Sequence, residues 1–199
     1  VASGVKEFNL ISQDLSDYGV DLSEENNIQN LLKGLEEVEG VEWIRLFYFY
    51  PDELTDEVIE VIRNSKKICS YLDMPVQHFS TNVLKRMNRR ITGEEIMGRV
   101  QRLRERIPNI IIRTSVIVGF PGETDEDIRN TASFLQDLGL SYLHVFTYSE
   151  RQNTRAPQLE DPVPMAERRE RNFLLRNLSS RLSTAFYRNQ HSKTLFKFI

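Results

Sequence analysis

The stretch IIIRTSVIVGFPGETDEDI, residues 110–128, decides the fold. It opens with a nearly unbroken apolar and β-branched run, passes through a turn that contains Gly119, Pro121 and Gly122, and continues into an acidic segment. An apolar run of this kind is typical of a strand buried on both faces, and acidic residues favour the N-terminus of a helix. The stretch therefore predicts a strand, a tight turn and a helix in direct succession.

Similar strand and helix patterns occur before and after this stretch. Apolar or aromatic runs predict strands at residues 7–12, 43–50, 70–77, 110–120 and 142–149. Helical periodicity predicts helices at residues 26–38, 55–64, 93–107 and 124–139, with Thr55 as an N-cap and Gly139 as a C-cap. This strict alternation predicts an α/β fold with a parallel sheet and right-handed crossovers, either doubly wound or a full or partial (β/α) barrel.

The composition changes after residue 149. Three prolines, at positions 157, 162 and 164, interrupt regular structure and predict a linker. The segment 166–190 then predicts one long basic amphipathic helix, and its apolar stripe comprises Phe173, Leu174, Leu178, Leu182 and Phe186. Residues 193–199 alternate like the start of a strand. We therefore predict a barrel over residues 1–156, a linker and helix over 157–190, and the start of a further β-rich domain at 191–199.

Composition and charge exclude several classes of protein. No apolar run approaches the ~20 residues of a membrane span, and the N-terminus has no secretion-signal pattern, so we expect a cytoplasmic fragment of a longer protein. The net charge of -3 provides no global attraction for nucleic acid, although cations concentrate at residues 85–106 and 168–188. The single cysteine, Cys69, excludes an internal disulfide and cannot form a metal site alone.

Ligands of parallel α/β proteins bind at the carboxyl ends of the strands. This rule nominates the loops at residues 12–14, 50–53, 75–78, 118–123 and 147–154. Gly119 would let a planar ring approach the backbone, and Val118 offers backbone groups to an adenine edge; alternatively, this segment only makes a turn. Gln77 and His78 would bind ribose hydroxyls or a carboxylate, or else they are satisfied by neighbouring loops.

Two polar residues, Arg113 and Ser115, alternate within the central apolar run and so share one face of the strand. If this face lines a barrel lumen, the guanidinium requires an anionic partner. The motifs of P-loop NTPases, α/β-hydrolases and zinc proteases do not occur in the sequence.

Five segments together resemble the radical-SAM methylthiotransferases. They are LISQDLSDYG, IRLFYFYPDELTDEVIEVI, YLDMPVQHFSTNVLKRMNRRITGEEI, IRTSVIVGFPGETDEDI and VFTYSERQNT, and they cover nearly the whole chain in order. The resemblance implies a partial TIM-type barrel, followed by the long basic helix, that holds S-adenosylmethionine (SAM) against a 4Fe-4S cluster.

Two positions favour the branch of this family that adds a methylthio group to the β-carbon of an aspartate in a small-subunit ribosomal protein. Tyr50-Pro51 stands where the tRNA-modifying branch shows Ser-His-Pro, and VQHFS stands where that branch shows VQSGS. The alternatives are a tRNA adenosine 2-methylthiotransferase and a non-catalytic barrel that docks on ribosomes. The resemblance allows contact with ribosomal RNA and leaves the electron donor, sulfur source and oligomeric state open.

Carried over position by position, the resemblance implies a set of SAM-binding residues and assigns no catalytic residue. This set comprises Gln77, Arg113, Ser115, Val118 and Gly119, with Gln13 and Tyr148 as weaker members. The three-cysteine cluster motif of the family is not in the chain, and Cys69, expected in a helix-to-strand connection, does not match it. We therefore expect the chain alone to be inactive. The loop YSERQNT lacks the usual glycine before Thr154, and residues 191–199 match the opening of a TRAM domain.

Overall fold

A computed structural model describes residues 1–22 and 25–190. The strands are β1 (Glu7–Leu10), β2 (Trp43–Leu46), β3 (Ile68–Asp73), β4 (Ile111–Val118) and β5 (Tyr142–Thr147). The helices are α1 (Ile28–Glu37), α2 (Asp56–Asn64), α3 (Thr81–Arg86), α4 (Gly93–Arg106), α5 (Asp125–Asp137) and α6 (Met165–Gln190). Short 3-10 helices occupy Pro51–Glu53 and Ala156–Gln158. The predicted segment 191–199 lies outside the described residues.

The sheet confirms the predicted fold class. The pairs β1/β2, β2/β3 and β4/β5 are parallel, and the strand order in the sheet follows the order in the sequence. Parallel strands that alternate with helices form the partial (β/α) barrel that the family resemblance implied. Among the described residues, none of the helices combines the length and the apolarity needed to cross a membrane.

The chain divides into two compact units. The first comprises residues 1–76 and 95–112, and fully buried side chains of Leu32, Ile44 and Leu72 form part of its core. The second comprises residues 77–94 and the chain from Arg113, with Leu84, Val116 and Leu135 in its core. The candidate site described below lies within the second unit.

Strands are shorter at their carboxyl ends than predicted, because the chain turns there. β2 ends at Leu46, since Tyr48 adopts a left-handed backbone with φ of 54°. β3 begins two residues earlier than predicted and ends at Asp73. Cys69 therefore lies within β3 and not in a connection, and burial raises the pKa of its thiol. These ends belong to the loops that the sequence nominated as binding sites.

Helix ends follow local capping. Thr55 caps α2 as predicted, since its hydroxyl accepts the Val58 N–H at 3.4 Å. The C-cap of α5 is Leu138, one residue before the predicted Gly139, and Gly139 follows it with a φ of 53°. The sequence did not predict the six-residue helix α3, because so short a segment shows no clear periodicity.

α6 packs against β5, and its predicted apolar stripe was wrong in part. Leu178 is buried as expected, but Phe173 is 69% exposed and Leu174 is also exposed, whereas Leu175 is fully buried. Leu182 and Phe186 are half-buried. The helix therefore turns a different face towards the sheet than the apolar pattern indicates.

Hydrogen bonds to the edge of β5 explain this orientation. β5 is the last strand in the sheet order, so alternate carbonyls on its outer side need donors. The Ser179 hydroxyl donates to the Leu143 carbonyl at 2.7 Å, and Ser183 donates to the Ser141 carbonyl at 3.1 Å. The Asn172 amide donates in the same way to the Val145 carbonyl at 3.3 Å. Small polar residues of α6 thus occupy positions that an apolar stripe would otherwise fill.

Candidate functional site

The carboxyl ends of β4 and β5 border a cavity of about 870 Å³ in the second unit. Val118 and Thr147 are partners in the sheet register, and the Tyr148 N–H extends the pairing by donating to the Val118 carbonyl at 2.8 Å. Of the seven residues that the sequence nominated, Gln77 and Tyr148 line this cavity. The strand-end rule therefore located a cavity, since residues of three of the five nominated loops line it.

The backbone of Gln77 is fixed beside β4. Its N–H donates to the Ser115 carbonyl at 3.0 Å, and its carbonyl accepts the Ile117 N–H at 2.7 Å. Its φ of 68° is in the left-handed region, which a residue other than glycine adopts only where the surroundings hold it. This bridge to the strand holds Gln77 at the wall of the cavity.

Burial alternates strictly along β4. Arg113, Ser115 and Ile117 lie on one half-buried face, as predicted for the first two, whereas Val118 is fully buried on the other. Ile117 also lines the cavity. Arg113 and Ser115 are thus on the cavity side of the strand, further from its carboxyl end, and the Val118 side chain points into the core.

Gly119 and Glu123 form the centre of a buried polar cluster. The Gly119 N–H donates to Glu123 Oε1 at 2.8 Å, and Glu123 Oε2 lies 3.1 Å from His78 Nε2. The Ser80 N–H donates to His78 Nδ1 at 2.9 Å, so Nε2 carries the ring proton and donates to the carboxylate. Arg171 Nη1 donates to Glu123 Oε1 at 2.9 Å. His78 is therefore satisfied by its neighbours, the second of the two interpretations left open above.

Arg171 completes this cluster from α6. Its Nη2 donates to Asp125 at 2.7 Å and to Glu167 at 3.2 Å. Burial lowers the pKa of the guanidinium, but the hydrogen bonds that it donates to Asp125 and Glu123 outweigh this, so the pKa is raised. The helix α5 is capped by Thr124, which forms a reciprocal capping box with Asp127, and not by Glu123. Glu123 instead links the turn after β4 to α6, because it accepts hydrogen bonds from Gly119 and Arg171.

Arg168 bonds from the same helix to the segment that follows β5. Its Nε donates to the Val163 carbonyl at 2.7 Å, its Nη1 to the Tyr148 carbonyl at 3.1 Å, and its Nη2 to Glu150 at 2.6 Å. A Cβ at Gly119, whose φ is 79°, would lie 2.3 Å from Arg168 Cγ. Glycine is therefore required here by the stem of an arginine, and this close contact does not involve the cavity.

The sequence did not nominate Arg168 or Arg171. Both lie in the basic segment that suggested a surface for polyanions, yet both are buried, at 5% and 7% exposure. Their separation of three residues places them on one helix face, which was the available signal. Their partners lie as far as 48 residues away in the chain, so local spacing could not identify them.

Tyr148 carries an unusual hydroxyl. Its ring contacts Phe120 edge-on at 5.1 Å between centroids, and the Arg168 guanidinium lies 5.2 Å from the ring centroid. Burial raises the pKa of the phenol, Glu150 adds to this effect, and Arg168 opposes it. The buried hydroxyl oxygen has no hydrogen-bond partner among the residues that the structure describes. A buried polar group without a partner is costly, and it is a feature of ligand sites.

Asn153 preserves the shape of the loop after β5. It occupies the position where the family shows glycine, and its φ is 63°, which asparagine tolerates better than most residues. The Thr154 hydroxyl donates to the Arg151 carbonyl at 2.8 Å within the same turn. The departure from the family pattern thus leaves a left-handed backbone in place.

Gln13 belongs to the first unit. It is exposed in the loop after β1, beside Asp14, whose carboxylate accepts the Ser16 N–H at 3.0 Å. Burial raises the pKa of Asp14 against the hydrogen bond from the Ser16 side chain, and the nearby Asp17 raises it further. Within residues 1–22 and 25–190, no three His, Cys, Asp or Glu side chains form a group that could hold a metal ion.

Several known proteins similar to this chain carry the same name. A protein of Geobacter sulfurreducens named ribosomal protein uS12 methylthiotransferase RimO is 46% identical over 190 residues, which cover 96% of this chain and 42% of the relative. Relatives of the same name from Clostridium perfringens and Clostridium novyi are 43% and 41% identical, over 94% and 96% of this chain. The chain spans less than half the length of these relatives.

Solved structures show the same fold at low sequence identity. Coproporphyrinogen III oxidase (HemN) from Escherichia coli, a radical SAM enzyme, aligns with a TM-score of 0.60 and 23% identity over 79% of this chain and 36% of its own. The radical SAM methyltransferase TsrM from Kitasatospora setae, solved with cobalamin and a [4Fe-4S] cluster, aligns with a TM-score of 0.56 and 16% identity over 73% of this chain and 28% of its own.

The family model described as the radical SAM superfamily matches residues 2–135, which is more than half of the chain. Its match includes the strand, turn and helix at residues 110–128. With the strand-end cavity of the second unit and the relatives above, this match shows that the chain belongs to the radical SAM superfamily.

Proposed function

We propose that this chain is the central part of a RimO-like methylthiotransferase, which adds a methylthio group to the β-carbon of an aspartate in a small-subunit ribosomal protein. The observation that carries the proposal is the 46% identity to a uS12 methylthiotransferase over 96% of the chain. Because that relative is much longer, the activity is proposed for the full-length protein. A ribosomal protein substrate also implies a cytoplasmic reaction.

The residues around the cavity suit SAM as a ligand. A volume of about 870 Å³ lies in the range of small-molecule sites. The orphaned hydroxyl of Tyr148 and the amide of Gln77 offer hydrogen bonds to a polar ligand at its wall. SAM, when bound, supplies the radical chemistry and the methyl group that the family resemblance implies. We propose that these two residues bind its polar groups.

The other five nominated residues take different parts in this proposal. Ser115 and Arg113 lie on the cavity side of β4 and extend the polar surface away from its carboxyl end. Val118 and Gly119 support the wall, since their backbone groups bond to Tyr148 and Glu123. Gln13, in the first unit, stays a prediction from the family resemblance.

The residues that the structure describes do not fit a 4Fe-4S cluster. A 4Fe-4S cluster needs several cysteine thiolates, and the chain has one cysteine, half-buried in β3.

The residues around the cavity hold the reacting groups in place and exclude water. Phe120, Ile117 and Phe146 give the cavity apolar wall area beside its polar groups. Hydrogen abstraction from carbon requires close placement of the reacting atoms and protection from solvent, not a proton-transfer pair. Arg168 keeps the segment after β5 in place by its bonds to Val163 and Tyr148. The absence of an acid-base pair from the seven nominated residues agrees with this requirement.

The proposal is tested with the full-length protein, reconstituted with iron and sulfide and supplied with SAM and a reductant. One reaction contains a peptide that spans the target aspartate of uS12, and a parallel reaction contains tRNA. We expect mass spectrometry to find the methylthio group on the peptide aspartate. A methylthio group on the tRNA adenosine, with none on the peptide, would overturn the proposal in favour of the tRNA-modifying branch.

A further inference from the structure

The lining of the strand-end cavity is strongly cationic. Five of its residues are lysine or arginine, and none is aspartate or glutamate: Lys85, Arg86, Arg89, Arg151 and Arg155. The chain as a whole has a net charge of -3, so this concentration is local. A cavity lined by one sign of charge concentrates ligands of the opposite sign.

Two of these cations already have partners within the protein. Arg86 donates to the Glu160 carbonyl at 3.2 Å and to Asp161 at 3.4 Å, and Arg89 takes part in an interaction of its own. Among the described residues, no acidic side chain forms an ion pair with Lys85, Arg151 or Arg155. These three cations are exposed and are therefore available to a ligand.

The position of the free cations limits what that ligand is. Arg151 and Arg155 belong to the loop after β5, close in sequence to Tyr148, and the apolar walls Phe120 and Phe146 line the same cavity. An arginine fork matches the two oxygens of a carboxylate. The site therefore suits a carboxylate attached to a short carbon chain.

We propose that Lys85, Arg151 and Arg155 bind the side-chain carboxylate of the aspartate that is modified. This inference rests on the proposed function. The reacting β-carbon of aspartate is one bond from the carboxylate, so this anionic group must enter the cavity with it. An adenine base enters as a neutral ring while its phosphates stay several bonds away. Exposed cations of the cavity lining would therefore meet the carboxylate of the protein substrate.

The test measures binding of two fluorescent peptides to the full-length protein in the presence of SAM, by anisotropy. One peptide spans the target aspartate of uS12, and the other has asparagine at that position. We expect the wild-type protein to prefer the aspartate peptide by about ten-fold, as a charge-assisted hydrogen bond implies. The double variant Arg151→Gln/Arg155→Gln should bind both peptides equally, and the matched control Arg169→Gln, an exposed arginine of α6, should retain the preference.

Each outcome decides the inference. If the double variant keeps the ten-fold preference, the carboxylate does not bind these arginines. If the double variant keeps the preference but loses SAM affinity, measured by equilibrium dialysis, the cations bind the cofactor, and the inference is wrong. Failure of the proposed function gives a different result. In that case the wild-type protein does not modify the aspartate peptide, and it binds a tRNA anticodon stem in preference to both peptides.

Discussion

Arg171 provides a quantitative test of the buried cluster behind the turn after β4. Arg171→Leu removes the only guanidinium that, within residues 1–22 and 25–190, is bonded to Glu123, whose side chain is fully buried, and leaves that carboxylate with the His78 and Gly119 N–H groups. Removing one partner of a buried ion pair costs about 3 to 5 kcal/mol. Since two donors remain at Glu123, we expect the lower end, about 3 kcal/mol.

Replacing the carboxylate in place of the guanidinium should lower the free energy of unfolding by less. Glu123→Gln keeps the shape of the side chain and leaves Arg171 bonded to Asp125 and Glu167, so we expect a loss of about 2 kcal/mol. In the double variant the uncompensated charge disappears, and the loss should fall short of the sum by about 1.5 kcal/mol or more.

Urea unfolding of the 199-residue chain at pH 7, followed by circular dichroism, measures these free energies. Arg169→Leu is the matched control, because Arg169 is an exposed arginine on the same helix, and we expect it to change stability by less than about 0.5 kcal/mol. Strict additivity of the two single variants would refute the coupling. An effect of Arg171→Leu no larger than that of the control would refute the burial argument altogether.

Three further outcomes are expected. Tyr148→Phe should lower the SAM affinity of the full-length protein by about ten-fold, while the unfolding midpoint stays equal or rises, because the lost hydroxyl has no partner among the described residues. Ser179→Ala should destabilise the chain by about 1 to 2 kcal/mol in urea unfolding, by leaving the Leu143 carbonyl unpaired, whereas its exposed neighbour Ser180→Ala should not. Burial raises the pKa of Asp127, but hydrogen bonds from Ser80 and Thr124 outweigh this and lower it below the ordinary 3.8. Its stabilisation is therefore complete above that value and is lost as pH falls through the folded pKa, and Asp127→Ala should flatten this part of the pH profile of stability.

The sequence predicted the alternation of strands and helices because periodicity and capping are local. The strand at residues 111–118 and the helix that follows it were visible in apolar pattern and acidic charge alone. The orientation of α6 was not, since it depends on which β5 carbonyls lack donors, as the bond from Ser179 to Leu143 illustrates. A hydrophobic stripe cannot report the hydrogen-bonding needs of a neighbouring strand.

In the candidate site, too, the sequence predicted local features and not long-range contacts. Gln77 and Tyr148 were nominated because they follow strands, and the structure places both at the cavity. Gly119 was nominated for its missing side chain, and its missing Cβ instead accommodates the stem of Arg168. Such a contact joins residues 49 positions apart, so the sequence identifies the glycine without identifying what approaches it.

The central claim is that the full-length protein modifies a ribosomal protein. The most direct measurement compares cells that have and lack the parent gene, by the mass of intact uS12 and of the nucleosides from digested tRNA. The account predicts that uS12 from the deletion strain is lighter by one methylthio group in place of a hydrogen, with tRNA nucleosides unchanged. Unchanged uS12 together with the loss of a methylthiolated adenosine would contradict it.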